Sequence, residues 1–128
     1  MHLAPRSDSH GISDSNPEAT FSYVASELGR RRIAFIAARE YIGERRLGPK
    51  LKKAFGGVYV ANEKFSKEAA EEVLQNGEAD AVAFGKLFIA NPDLPTRFLS
   101  NAPLNEPRPE TFYSHGPEGY VDYPSLQG

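Results

Sequence analysis

Four short apolar runs recur along this chain, "MHLAP", "RIAFIAARE", "VYVAN" and "AVAFG", and each is followed by a segment with helical spacing. That alternation constrains the fold more than any other feature. The runs at 33–38, 58–62 and 81–85 are apolar almost throughout, which is the pattern of parallel strands covered on both faces. Between the first and second, Ser15 and Glu18 stand at capping-box spacing, and Pro17 suits a first helical turn, where its missing N–H costs nothing. Phe21, Val24, Ala25 and Leu28 then form one stripe, and Gly29 ends the helix. Leu51, Ala54 and Phe55 make a second, short helical face, broken by Gly56-Gly57. Ser66 caps a third helix carrying Ala69, Ala70, Val73 and Leu74 and closed by Gly77. Asn91-Pro92 opens a last helix with Leu94, Phe98 and Leu99. The predicted order is β-α-β-α-β-α-β-α with right-handed crossovers, an α/β fold with a parallel sheet. Four βα units occupy 1–100, an irregular tail occupies 101–128, and the whole is one partial domain.

Composition narrows the function. The 128 residues carry a net charge of −2, and the Lys and Arg form no long basic block, so nucleic acid is a poor first partner. "GRRR" at 29–32 reads as a solvated helix end favourable beside the helix dipole. There is no cysteine, which removes disulfides and thiolate metal sites. Glu68, Glu71 and Glu72 read as an exposed helix face, and no cluster supports metal ligation. No apolar run reaches the length of a membrane span, and neither a signal-peptide pattern nor a polybasic membrane signal is found. A cytoplasmic protein is expected. His10, in the polar stretch "RSDSHGISDS", reads as solvated.

Chemistry concentrates at the ends of the last two strands. In parallel α/β folds ligands gather at the carboxyl ends of strands. Gly85-Lys86 lies at such an end and opens an apolar turn whose first N–H groups have no intrahelical partner. Glycine lets an anion approach the main chain, and lysine adds a point charge. "ANEKF" ends the preceding strand just before another helix start and offers a second set of amides. Two such strand ends make a phosphate cup. A Gly-Lys pair after a strand is also the make-up of a turn with a solvated charge, and spacing leaves both readings standing.

The segment "ADAVAFGKLFIANPDLPTRF", followed by "APLNEPRPETFYSHGPEGYVDYPSL", closely resembles the carboxyl-terminal end of the old yellow enzyme family, FMN-dependent NAD(P)H oxidoreductases built on a (β/α)8 TIM barrel. "HLAPRSD" and "SDSNPEATFSYVASELGRRRIAFIAARE" resemble the strands and helix that precede it there. The combined motif, F-G-[RK]-x-[FY]-I-x-N-P-D-L with F-Y and G-Y-x-D-Y-P downstream, is specific. The resemblance implies the carboxyl-terminal half, (βα)4, of such a barrel. Gly85 and Lys86 match the Gly-Arg pair that binds the FMN phosphate, with lysine keeping the charge but losing the bidentate fork. Glu63 and Lys64 fall where the family often has Gly-Gly, whose amides also hold the phosphate, and an acidic Glu63 is expected to point away. Phe112 and Tyr113 match the aromatic pair at the flavin edge, the tyrosine lining the substrate face. His2 stands where "R-L-[AS]-P" supplies an arginine to the pyrimidine end of the flavin; a histidine is shorter and largely neutral at pH 7. Tyr120 and Tyr123 are expected to pack the tail on the barrel, and His115 to lie in a surface loop.

The resemblance equates these units with strands five to eight. The first four, with the His/Asn or His/His pair that grips a substrate carbonyl and the tyrosine that gives a proton, have no counterpart here, so no catalytic residue is assigned. A half barrel leaves strand edges unpaired and an inner face open, several kcal/mol of lost burial at roughly 25 cal/mol per Å². Two functions follow from different classes. One is an oxidoreductase in which FMN takes hydride from NAD(P)H and passes it to a small electrophile, an activated alkene or quinone. The other is a non-catalytic half barrel that binds FMN or phosphate weakly, or that self-associates or pairs with a missing half.

Overall fold

The structure, a computed structural model, describes residues 1–7, 11 and 13–126. His10 lies outside the described residues. By their contacts the residues form two compact units, Met1–Ala83 and Phe84–Gly128.

The first unit holds β1 (His2–Arg6), α1 (Pro17–Arg30), β2 (Phe35–Glu40), α2 (Gly48–Phe55), β3 (Val58–Asn62), α3 (Lys67–Gln75) and β4 (Ala81–Ala83). The strands form one parallel sheet in the order β1-β2-β3-β4, as the alternation predicts. Ile36, Ala38, Tyr59 and Ala61 are buried together with Ala25, Leu51, Phe55, Ala70 and Val73 from the helices.

The opposite sheet face is the open one that a half barrel implies. Phe35 pairs with Val58, Ala37 with His2 and Val60, and Arg39 with Asn62, which pairs in turn with Ala83. Each of these residues is exposed or half-buried, Phe35 at 47% and Val58 at 49%. The strands are apolar on both faces, and the described residues bury only one of them.

Local corrections have local reasons. The cap of α1 is Asn16, not Ser15: its side chain accepts from Ala19 N at 3.2 Å, while Asp14 accepts from Asn16 N. Glu18, released from a capping box, pairs with Lys50 at 2.5 Å. Gly29 does not end α1, which runs to Arg30. It is the point where α1 meets the end of α2, and a Cβ there would lie 2.2 Å from the Phe55 carbonyl oxygen. Strand β2 starts later than the apolar run and takes in Arg39 and Glu40, both of which have partners. Leu74 is 42% exposed, off the buried stripe of α3. Ser66 caps α3 as expected.

The second unit holds α4 (Lys86–Ala90), α5 (Leu94–Ser100), a 3-10 turn at Pro109–Thr111 and extended chain. Phe84 meets Phe98 edge to face at 5.3 Å. Leu94 is buried, whereas Leu99 is exposed. Asn91 does not simply start a helix. It separates α4 from α5, is fully buried, donates to the Leu87 carbonyl and accepts from Asn105 N at 2.7 Å. Arg97, also buried, donates to Asp93 (2.6 Å), the Pro103 carbonyl (2.6 Å) and the Pro124 carbonyl (2.8 Å). Of the two tail tyrosines, Tyr123 is engaged: its hydroxyl accepts from Arg108 N, and the Arg108 guanidinium lies 5.3 Å from its ring. Tyr120 is exposed, contrary to its expected packing role. Among the described residues no helix is long and apolar enough to cross a membrane.

Candidate functional site

Parallel strands bring their carboxyl ends to one edge, and in the first unit that edge is rich in cations. Arg6 closes β1 and donates to the carbonyls of Glu44 and Arg45 at 3.0 and 2.8 Å, with its guanidinium 5.4 Å from the Tyr41 ring. The Lys64 ammonium lies 6.0 Å from the same ring, at cation–π reach. Arg39 donates from Nε to Glu63 Oε2 at 2.7 Å.

The backbone after β3 is the unusual part. Glu63 has φ +101° and Lys64 φ +55°, in the left-handed region that side chains avoid at a cost on the order of 1–2 kcal/mol per residue. A chain needing only a turn uses glycine there. Two consecutive non-glycine residues keep this shape because side chains tie it down: Glu63 to Arg39, Lys64 over Tyr41, and Asn62 Nδ2 donating to the Ala83 carbonyl at 2.7 Å.

Glu40, the last residue of β2, explains how that edge is held. Leu47 caps α2 without a side-chain bond. Glu40 supplies the acceptor from a distance, taking Leu47 N on Oε1 (2.5 Å) and Gly48 N on Oε2 (2.8 Å), a carboxylate at a helix N-terminus. Burial, reinforced by the Glu40 charge, pushes the Tyr59 phenol well above its ordinary value. Arg6, Arg39 and Glu40 escaped sequence reading because charges at the end of an apolar run look like solvated punctuation. The signal present was that each sits in or at a strand, where a charge needs a partner.

In the second unit, Gly85 is the N-cap of α4 and Lys86 its first residue. A Cβ on Gly85 would meet nothing within 4 Å among the described residues, so their packing does not demand glycine there. Lys86 is exposed and forms no ion pair among the described residues. Phe112 is half-buried, and Tyr113 is 96% exposed just after the 3-10 turn. His115 is exposed, as expected of a surface loop. His2 is exposed on β1, opposite Ala37. Thus His2, Glu63 and Lys64 belong to the first unit, and Gly85, Lys86, Phe112 and Tyr113 to the second.

No family model matches the chain. A putative 12-oxophytodienoate reductase 3 of Oryza sativa subsp. japonica is 40% identical over 99% of this chain and 36% of its own length. A probable flavin mononucleotide-dependent alkene reductase of Leishmania infantum is 37% identical over 98% of this chain and 35% of its own. The solved structure of the old yellow enzyme homologue from Zymomonas mobilis superposes with a TM-score of 0.88 at 39% identity, covering 96% of this chain and 37% of that one. Nearly the whole chain matches about a third of an old yellow enzyme. The likeness is in sequence and in fold together, and the four parallel βα units match units of TIM-barrel old yellow enzymes. The chain spans little more than a third of the length of the relatives it matches, less than the half that four strands of eight imply by strand count.

Proposed function

We propose that this chain supplies the phosphate grip for FMN in an oxidoreductase of the old yellow enzyme type, which uses NAD(P)H as reductant and a small electrophilic alkene or quinone as acceptor. The observation that carries this reading is the left-handed backbone at Glu63 and Lys64. Those positions adopt the positive φ that favours glycine although neither is glycine, and turns with left-handed residues are a common way of presenting main-chain N–H groups to an anion. The open space over Gly85 and the exposed Lys86 fit the same reading from the second unit: the glycine leaves room for an anion at the main chain, and the lysine adds charge. Each unit supplies its own donors.

FMN bound there would supply hydride transfer between a nicotinamide and the acceptor. This chain's residues bind and orient. Glu63 and Lys64 give amides, Gly85 an amide and clearance, and Lys86 a positive charge. His2, exposed on β1, would meet the flavin ring with less charge than an arginine and so would hold it less firmly. Phe112 and Tyr113 would stand at the flavin edge, with the exposed Tyr113 lining the substrate face. Substrate-carbonyl binding and proton donation are assigned to no residue of this chain.

A second reading is favoured by the bare sheet face with Phe35 and Val58. Here the chain is not a catalyst by itself and completes its sheet against other strands, in a second copy or another chain.

Titration of FMN by flavin fluorescence, followed by an NADPH oxidation assay, tests the first reading. Bound flavin with turnover supports it; bound flavin without turnover supports the second. Lys86→Ala is expected to weaken FMN binding about tenfold, the loss of one charge-assisted phosphate contact. No change in that affinity removes Lys86 from the site.

A further inference from the structure

A glutamate in a phosphate-binding turn is a contradiction that needs a device to resolve it. Strand β3 lies between β2 and β4. At its end Asn62 reaches toward β4, donating to the Ala83 carbonyl. Glu63 turns the other way. Its carboxylate takes the Arg39 Nε–H at 2.7 Å, and Arg39 stands on β2 directly opposite Asn62. The acid is therefore fastened on the β2 side of the turn, away from β4. The Glu63 side chain is only 10% exposed, so its charge is poorly solvated and depends on the guanidinium.

We propose that Arg39 is a positioning residue for cofactor binding: its guanidinium holds the Glu63 carboxylate off the amides of Glu63 and Lys64 and neutralises it, so that a turn bearing an acid still admits a phosphate. This rests on the reading of those amides as a phosphate grip. Without Arg39, a carboxylate competes with the phosphate for the same donors, and its unneutralised charge repels the dianion across a few ångströms of poorly hydrated space. Without Glu63, Arg39 has nothing left to restrain.

The full 128-residue chain, Arg39→Gln, Glu63→Gly, the double variant and Arg39→Lys are titrated with FMN by fluorescence, with inorganic phosphate as competitor and circular dichroism melts as the check of folding. Arg39→Gln is expected to raise the FMN Kd about tenfold or more. Arg39→Lys, which keeps the charge, stays within about threefold of the unaltered chain. Glu63→Gly binds more tightly than the unaltered chain, and the double variant binds like Glu63→Gly. An unchanged Kd in Arg39→Gln overturns the proposal. So does a double variant as weak as Arg39→Gln, which makes Arg39 a direct ligand or a fold element. If Arg39→Gln does not fold, Glu63→Gly against the double variant still decides: equal affinities support the role, and a loss in the double overturns it. A folded, unaltered chain that binds neither FMN nor phosphate overturns the phosphate grip itself, and the role of Arg39 with it.

Discussion

In residues 1–83 the largest fully buried side chains are Ile36 and Leu51, whereas in residues 84–126 they are Leu94 and Asn91, with Arg97 almost as buried. The first unit is a sheet whose helices cover one apolar face. Its buried polar groups, Glu40 above all, serve the ends of elements. The second has two short helices and much irregular chain, whose backbone groups have no ladder to join. They bond instead to side chains: Arg97 to two carbonyls, Asn91 and Asn105 to each other's segments, Asp93 to Leu126 N. Where secondary structure is short, side chains must satisfy the main chain.

Substitutions break this comparison in order of effect. Arg97→Ala leaves the Pro103 and Pro124 carbonyls and the Asp93 carboxylate without their donor, and is expected to cost about 4 kcal/mol, with amide exchange rising across 101–126 before it rises in the strands. Equal acceleration in both units would show that they unfold as one. Leu51→Ala deletes a fully buried apolar side chain from the first unit, at about 3 kcal/mol in urea unfolding. There the strands exchange first, and a loss below about 1 kcal/mol would mean that the sheet's covered face is loosely packed. Glu40→Gln keeps the shape and removes the charge that caps α2. About 1–2 kcal/mol is expected, seen as faster exchange at Leu47 and Gly48.

The smallest effect is a pH dependence. The Arg97 guanidinium, with the Leu126 N–H, holds the Asp93 carboxyl below its ordinary value of 3.8. A carboxyl with a depressed folded pKa stabilises the fold fully above its unfolded pKa, and that contribution is lost as the pH falls through the folded pKa. In the first unit Asp80 behaves likewise, held down by the Tyr59 N–H and then by Lys52. Exchange of Leu126 and Tyr59 amides between about pH 5 and pH 2 should therefore rise on acidification, once intrinsic rates are divided out. Protection that is flat over that range would remove both carboxylates from the account.

The legible and the hidden separate by residue. Ser66 as a cap, Leu51 and Phe55 on one face and the parallel order of β1 to β4 follow from periodicity and capping chemistry, which act over a few residues. The Gly85-Lys86 pair was conspicuous for the same reason. Asn16 displaced Ser15 because two polar residues competed for one cap, and only the path of the chain chose. Gly29 looked like a helix stop, whereas its cause is a carbonyl oxygen 26 residues on, at Phe55. Leu74 and Leu99 kept helical spacing yet point to solvent, since period says which residues share a face and not how wide a face is covered.

By itself the sequence determined the strand–helix alternation, the parallel sheet that follows from it and the likeness to old yellow enzymes, because these rest on local preference and on strings of neighbouring residues. Tertiary structure alone decided that Glu40 caps a helix seven residues away and that Arg39 takes hold of Glu63 across 24 residues of chain. Those are contacts between segments far apart in the chain, and their energy depends on a distance in space that no local pattern records.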